Sequence, residues 1–250
     1  MSGHNKWSTI KRKKGAADAK RSKIFSRIVK EIAIAVKESG PSPENNPRLR
    51  IALLNAKGAN MPKATVEKAL SKASSSNENY EEIFFESYGH GGVAIFIECL
   101  SDNNNRTVSN VRAILNKRGG TLGTKGSLSF IFERKGVFTI PIANIKNFDE
   151  VELDLIDAGA EDIEQIDDKY IITTKFEDFG AMQKKLEEFS IEAESQELER
   201  VAITTKQVDL ETAQKNLKLI EAIEEDEDVQ KVFHNMEMTE EIQKALESTE

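Results

Sequence analysis

The chain has 250 residues, 38% of them hydrophobic, and a formal net charge of −8 at pH 7. This composition is typical of a soluble globular protein of one large domain or two to three small ones. No stretch approaches the roughly 18 to 20 apolar residues that span a bilayer, and the basic N-terminus lacks the apolar core of a signal peptide. We therefore expect a cytoplasmic protein without a membrane partner. The single cysteine, Cys99, lies in the apolar run VAIFIECL and is predicted to be buried and unreactive.

Positive charge is concentrated in the first part of the chain. Residues 1–75 hold 17 basic and 5 acidic residues, a net charge of +12. Residues 76–250 hold 18 basic and 38 acidic residues, a net charge of −20. Such an asymmetry indicates that one part of the chain meets a polyanion while the rest keeps the protein soluble.

Three amphipathic helices are predicted after a basic arm. Residues 1–18 show little apolar periodicity, so we expect a loosely ordered arm there. Apolar residues then recur at helical spacing over residues 19–37, from about residue 47 to Gly58, and again from Pro62 onward. Because the connections are short, residues 1–76 are predicted to form a basic three-helix bundle with an N-terminal arm.

Residues 77–135 and 202–250 are predicted to form an α/β domain. The β-rich runs IFFESYG and VAIFIECL flank an HGG turn and predict a hairpin, and NRTVSNVRAILNKRGG predicts a helix that ends at Gly119. We expect a further strand over SLSFIFER. Near the C-terminus, we expect a single long helix over ETAQKNLKLIEAIEEDEDVQKVF.

Residues 136–201, between these two pieces, show the order β-α-β-β-α-β. At about 65 residues this is the ferredoxin-like, split βαβ plan. We therefore expect a multi-domain α and α+β protein in which a ferredoxin-like (βαββαβ) domain is inserted into the α/β domain.

The basic N-terminus is the strongest functional signal. Lys and Arg that neutralise phosphates and release counterions supply much of the free energy of nucleic-acid binding. The alternatives are a solvated arm or contact with an anionic membrane, and the bundle's need for the apolar face of the first helix disfavours the membrane. The predicted nucleic-acid-binding residues are Lys6, Trp7, Lys11, Arg12, Lys13, Lys14, Lys20, Arg21, Lys23, Arg27 and Lys30.

The members of this set have different expected roles. Lys20, Lys23, Arg27 and Lys30 fall on one arc of the first helix and are predicted to form its outward stripe. For Trp7, two interpretations remain open. Its ring either stacks on an unpaired base or packs over the bundle and anchors the arm.

The remaining motifs predict no catalytic residues, metal site or cofactor. RGGTLGTKGS resembles a phosphate-binding loop, but Lys125 precedes Gly126 and a helix precedes the loop, so we interpret it as a helix-ending turn. His4, His90 and His234 are far apart, with no Cys or His at ligand spacing. Because no nucleophile–base pair or convergent carboxylate pair stands out, we expect a non-enzymatic protein without a small-molecule substrate.

Several blocks of the sequence resemble signatures of the YebC/PmpR family, whose mitochondrial relatives are translational activators. The blocks are GHNKWSTIKRKKGAADAKRSKIFSRIVKEI, NPRLRIAL, ANMPKATVEKA, YGHGGVAIFIE, SDNNNRTVSNVR and KRGGTLGTKGSLSFIFERKG. The resemblance implies three domains, arranged as above, in a cytoplasmic DNA-binding regulator of transcription. It also places the functional block at Lys6, Trp7, Lys11 to Lys14 and Lys20 to Lys23. His90 departs from the family, which typically has Pro in this turn.

Two functional hypotheses remain open, and both need the basic arm. The first is a regulator of transcription that binds duplex DNA. The second, which the resemblance also implies, is a ribosome-associated, RNA-binding translation factor that aids the synthesis of difficult stretches such as proline-rich ones. Because no helix-turn-helix places side chains to read base edges, a loosely sequence-selective backbone binder is expected in either case. A protein-interaction role for the ferredoxin-like segment is a third, secondary hypothesis.

Overall fold

The computed structural model describes residues 17–75 and 80–247. Within these ranges the chain forms eight helices and two four-stranded sheets, so the expected mixed α and β fold class is confirmed. The helices are α1 Ala17–Ser39, α2 Pro47–Gly58, α3 Lys63–Ser75, α4 Asn104–Lys117, α5 Phe148–Asp157, α6 Phe179–Glu188, α7 Leu210–Glu224 and α8 Glu240–Glu247. The strands are β1 Glu81–Tyr88, β2 Ala94–Ser101, β3 Thr121–Leu122, β4 Phe132–Pro141, β5 Ala160–Ile166, β6 Lys169–Lys175, β7 Ser195–Ala202 and β8 Val229–His234.

The described residues divide into two compact units, each built from two pieces of the chain. Unit A comprises residues 80–133 and 200–247, and unit B comprises residues 17–75 and 134–199. The predicted bundle and the predicted ferredoxin-like segment thus belong to the same unit. In the part of the chain that the structure describes, no helix is both long and apolar enough to cross a membrane.

Helices α1, α2 and α3 of unit B pack around a shared apolar core. Asn46, itself buried, fixes the connection between the first two helices. Its side-chain oxygen accepts a hydrogen bond from the Leu49 amide at 3.0 Å, and its amide nitrogen donates to the Ala35 and Gly40 carbonyls at 2.6 and 2.8 Å. These bonds satisfy backbone groups that a helix end leaves without intrahelical partners. The buried core residues are Ile28, Ile32, Ala35, Val36, Leu49, Ala52, Ala56, Met61, Ala69 and Ala73.

The sheet of unit B has the strand order β5-β6-β4-β7. Each β-α-β connection therefore leaves one strand between the two that it joins, which is the split βαβ arrangement. Helices α5 and α6 contribute Leu155, Met182 and Leu186 to a core that also contains Phe138 and Ile172 of the sheet. Strand β7 lies at the edge of this sheet.

The sheet of unit A has the order β3-β1-β2-β8 and contains the predicted hairpin. Strands β1 and β2 pair antiparallel from Glu81 opposite Ser101 to Tyr88 opposite Ala94. Helices α4 and α7 contribute to the main core on one face, where Cys99 is buried as predicted. On the other face, Leu128 and residues near it pack against aromatic side chains of β2 and β8.

Two of the predicted elements are wrong. The strand expected over SLSFIFER begins only at Phe132, because the preceding residues form successive turns, with the Ser127 amide bonded to the Thr124 carbonyl and the Ile131 amide to the Leu128 carbonyl. The long C-terminal helix ends at Glu224, and Val229 begins a strand instead. Consecutive acidic residues over 224–228 are unfavourable at the negative end of a helix dipole, which explains why the helix stops there.

Candidate nucleic-acid interface

Part of the predicted interface lies outside the described residues. Lys6, Trp7 and Lys11 to Lys14 precede the first described position, and Lys20 is described only as part of the α1 backbone. Four members of the predicted set have described side chains. They are Arg21, Lys23, Arg27 and Lys30, and all lie on α1.

Arg21 is exposed at the start of α1 and is held in place by its neighbours. Its guanidinium donates a hydrogen bond to the Asn60 carbonyl at 3.2 Å and lies 5.5 Å from the centre of the Phe25 ring. The residue therefore keeps a positive charge at the surface while its side chain is partly ordered. An ordered, exposed guanidinium suits contact with a phosphate oxygen.

Lys23 and Lys30 are only partly exposed, and each interacts with a neighbouring group. Arg27 departs further from the predicted outward stripe. Its Nε atom is buried and makes no hydrogen bond to any described residue. Burial lowers the pKa of the Arg27 guanidinium, and the nearby Glu197 carboxylate on β7 opposes that shift. The expectation that Arg27 faces solvent is therefore wrong, because its charge faces a carboxylate of the adjacent sheet.

Basic residues of α3 were not among the predicted site residues. Lys63, Lys68 and Lys72 are all exposed, and α3 packs directly against α1. Lys63 lies 3.8 Å from Glu67, an exposed pair that contributes little to stability. The spacing of Lys68 and Lys72, four residues apart on the polar side of a predicted helix, was the signal that could have identified them.

The loop that resembles a phosphate-binding loop is occupied by a carboxylate of the chain itself. The Glu86 side chain accepts hydrogen bonds from the Gly126 and Leu128 amides at 2.6 and 2.5 Å, and from the Ser127 hydroxyl at 3.2 Å. Backbone amides that converge in this way make an anion-binding concavity. Because Glu86 fills it, this part of the loop has a structural role. The predicted helix-ending turn accounts only for residues 118–120, since β3 follows at Thr121–Leu122.

The block SDNNNRTVSNVR also has a structural role. The carboxylate of Asp228, which is almost fully buried, accepts hydrogen bonds from the Ser101 hydroxyl at 3.0 Å, the Thr107 hydroxyl at 2.8 Å and the Arg106 guanidinium at 2.8 Å. The same guanidinium lies 2.8 Å from Asp102. These contacts attach the start of α4 to the turn before β8. Hydrogen bonds donated to the Asp228 and Asp102 carboxylates raise the pKa of Arg106, so the guanidinium stays charged.

The turn at His90 links the end of α4 to the middle of α7 in unit A. The buried Asn216 side chain accepts from the His90 amide at 2.8 Å and donates to the His90 carbonyl at 2.9 Å. The His90 Nε2 atom lies 2.8 Å from the Arg118 carbonyl oxygen, so this nitrogen carries the proton. Gly119 has a φ of +76°, and a Cβ atom there would lie 2.6 Å from the His90 ring. Glycine is therefore required where α4 ends.

Comparison with known proteins identifies the family. Residues 5–76 match the "TACO1/YebC protein N-terminal domain", and residues 80–236 match the "TACO1/YebC second and third domain". The chain belongs to the TACO1/YebC family. The resemblance to YebC proteins found in the sequence blocks is thereby confirmed.

Relatives in this family cover nearly the whole chain. A "Probable transcriptional regulatory protein" of Amoebophilus asiaticus is 46% identical over 239 residues, which span 94% of this chain and 98% of the relative. A protein of the same name from Rubrobacter xylanophilus is 44% identical over 97% of this chain and 98% of its own. The crystal structure of the conserved hypothetical protein Aq1575 from Aquifex aeolicus matches with a TM-score of 0.80 and 40% identity, covering 89% of this chain and 92% of that one.

Proposed function

We propose that this TACO1/YebC protein is a non-enzymatic, DNA-binding regulator of transcription that acts in the cytoplasm. The observation that carries the proposal is the concentration of positive charge at the N-terminus, with ten basic residues and one acidic residue among the first 30. The names of its relatives support a regulatory role.

The proposed interface consists of the arm and the exposed part of α1. Arg21 supports this assignment because its guanidinium is both exposed and ordered. Arg27 is excluded from the interface, since its charge is partly buried opposite Glu197. The proposed contact residues are Lys6, Trp7, Lys11, Arg12, Lys13, Lys14, Lys20, Arg21, Lys23 and Lys30.

The chemistry of this interface is the neutralisation of phosphates by Lys and Arg side chains. Each Lys or Arg that meets a phosphate releases condensed counterions, which makes the affinity strongly dependent on salt. Such contacts position a protein on DNA but carry no sequence information by themselves. Broad affinity for duplex DNA with limited sequence preference is therefore expected from the arm.

Replacing Lys11, Arg12, Lys13 and Lys14 together with Ala should weaken binding to duplex DNA. The plot of log affinity against log salt should become shallower by about 0.9 for each phosphate that the arm no longer neutralises. The measurement is a titration of labelled duplex DNA by fluorescence anisotropy across a salt series. The matched control replaces four lysines near the C-terminus, Lys206, Lys215, Lys218 and Lys244, with Ala.

Both quadruple variants lose the same charge, so a general electrostatic effect would weaken them equally. An unchanged slope in the arm variant would overturn the assignment of the arm. Sedimentation of the wild-type protein with ribosomal particles is the second measurement. Strong co-sedimentation combined with weak DNA binding would overturn the DNA proposal in favour of an RNA-binding translation factor.

We also propose the finer domain arrangement, with a basic bundle at residues 1–76, an α/β domain at 77–135 plus 202–250, and an inserted ferredoxin-like domain at 136–201. The split βαβ strand order of β4 to β7 supports the inserted domain. The division of the family matches near residues 76 to 80 supports the boundary after the bundle. Limited proteolysis tests the boundary after the bundle, because cleavage should concentrate near residue 76 and spare residues 135 and 202, which lie within β4 and β7.

A further inference from the structure

A long segment of unit A carries no acidic residue. Residues 103–132 include five basic residues and no Asp or Glu, although 43 of the 250 residues of the chain are acidic. At that frequency, thirty consecutive residues would contain about five acids. The segment also lies in the part of the chain whose overall charge is strongly negative. The net charge of that part therefore conceals a local basic surface.

The segment forms the β3 edge of the unit A sheet. It begins with α4, continues through Gly119 into β3, which is the edge strand beside β1, and ends in the turns before β4. Hydrogen bonds from the Arg118 amide to the Ile114 carbonyl and from the Gly120 amide to the Leu115 carbonyl close the end of α4. The last turn of this helix also carries Leu115, which is fully buried in the main core of unit A.

Four basic residues of the segment have exposed side chains. Their side chains make no ion pair or hydrogen bond with any described residue. We call these four residues the basic edge: Arg112, Lys117, Arg118 and Lys125. In the same segment, Arg106 is bound to Asp102 and Asp228 at the start of α4. Asn110 likewise donates to Asp226 at 3.0 Å. The basic edge therefore lies C-terminal to the first turns of α4, whose side chains contact Asp102, Asp226 and Asp228.

The acidic side chain that contacts this loop is already engaged. Glu86 directs its carboxylate into the amides of Gly126 and Leu128 and the hydroxyl of Ser127. The hydrogen bonds of its carboxylate come from the backbone and the Ser127 hydroxyl of this loop, and none comes from the four basic side chains. Nothing in these contacts neutralises the basic edge.

We propose that the basic edge is a second phosphate-binding surface, on unit A, for the DNA that the N-terminal arm contacts. Charge complementarity favours a phosphate backbone, because four exposed cations without partners among the described residues lie on α4 and in the turns on either side of the edge strand β3, in an otherwise acidic unit. The exposed side of α4 adds the side chains of Asn105 and Asn116, which suit hydrogen bonds to phosphate or sugar oxygens. This inference rests on the proposed function.

The test replaces Arg112, Lys117, Arg118 and Lys125 together with Gln in the full chain. Duplex DNA binding is measured across a salt series beside the wild type and the arm variant. The expected result is a slope reduced by about 0.9 for each phosphate that the basic edge no longer neutralises, and an affinity at least roughly tenfold lower at physiological salt. Thermal unfolding should be unchanged, because all four side chains are exposed.

A matched pair of single variants tests the basic edge even if the quadruple variant fails to fold. Lys125→Glu changes the basic edge, whereas Lys206→Glu makes the same charge change beside Met236, next to the opposite edge strand β8. Lys125→Glu should weaken binding several-fold more than Lys206→Glu.

The outcomes separate the two proposals. Wild-type affinity in the quadruple Gln variant, with loss of binding in the arm variant, would overturn the basic edge and leave the proposed function standing. Equal effects of Lys125→Glu and Lys206→Glu would also overturn it. Absence of DNA binding by the wild-type protein would overturn both.

Discussion

His234 lies on β8 with its side chain fully buried in unit A. Burial lowers the pKa of this imidazole from 6.5 to about 4, because the charged form is poorly solvated there. The folded protein therefore keeps His234 neutral at pH values where an unfolded chain would protonate it. The contribution of this residue to stability is fully present above about pH 6.5 and is lost as the pH falls towards 4.

Unfolding should accordingly become easier in mild acid. We expect the His234 contribution to the free energy of unfolding to fall by up to about 1.4 kcal/mol per pH unit between pH 6.5 and 4. His234→Gln removes the titrating group, so its stability should depend less on pH. Denaturant unfolding at about pH 7, 6 and 5 measures the free energy of unfolding of both proteins. The contributions of the carboxylates, which both proteins share, cancel in the difference between them. Parallel pH profiles would contradict the prediction.

Single residues differ in how far the sequence reveals their environment. The burial of Cys99 was predictable because apolar residues surround it on a strand that the sequence identifies. The burial of His234 was not, because the residues before it on the same strand follow a pattern that predicts a helix. Arg27 falls among the basic residues in the helical periodicity of α1, yet the carboxylate that faces it comes from residue 197. Helical periodicity shows which face is polar, but it does not show what packs there.

Among the elements, the end of α2 and the edge strand β7 of unit B are in unusually close contact. The Asn55 side chain donates to the Gln196 carbonyl at 3.1 Å and accepts from the Gln196 amide at 2.9 Å, so it pairs with the strand as another backbone would. A Cβ atom at Gly58 would lie only 1.8 Å from the Glu194 carbonyl oxygen. The helix therefore covers part of a sheet edge that would otherwise expose unpaired groups.

Gly58→Ala should destabilise the protein by roughly 1 to 3 kcal/mol, because the methyl group forces α2 away from the backbone of Glu194, the residue just before β7. The matched control is Gly180→Ala in α6, where a Cβ atom would meet nothing within 4 Å. There, the better helix propensity of Ala should raise stability by up to about 1 kcal/mol. Denaturant unfolding measures both, and a Gly58→Ala variant as stable as the Gly180→Ala variant would refute the close contact.

Most elements could be predicted from local patterns, and the exceptions have a physical cause. The β1–β2 hairpin and α4 follow from alternation, helical spacing and the glycines that end them. SLSFIFER also alternates, but contacts from Glu86, some forty residues earlier, hold its first part in turns. VQKVFH continues an apolar pattern compatible with a helix, and pairing with β2 makes it a strand. In both cases, a distant partner determined the backbone.

At the scale of the whole molecule, charge is distributed more finely than the sequence totals suggest. The division into a basic first part and an acidic remainder identified the arm. The net charge of the remainder, however, hid the positive charge of residues 103–132. That segment becomes a candidate surface only when the fold shows that α4 exposes its charged side at a sheet edge. The lack of acidic residues in this segment was visible in the sequence, but the exposure of its basic side chains and their lack of partners among the described residues follow only from the structure.

The sheet of unit A joins strands that are far apart in the chain, so it can be completed only late in the synthesis of the protein. Unit B has all of its residues once residue 199 has been synthesised, whereas β8 ends only at His234. Until then, β2 lacks one of its two neighbours, and the apolar side chains of the hairpin lack α7. The nascent chain therefore carries an incomplete sheet with exposed apolar side chains during the synthesis of more than a hundred residues. A chain truncated before β8 would keep this apolar surface exposed.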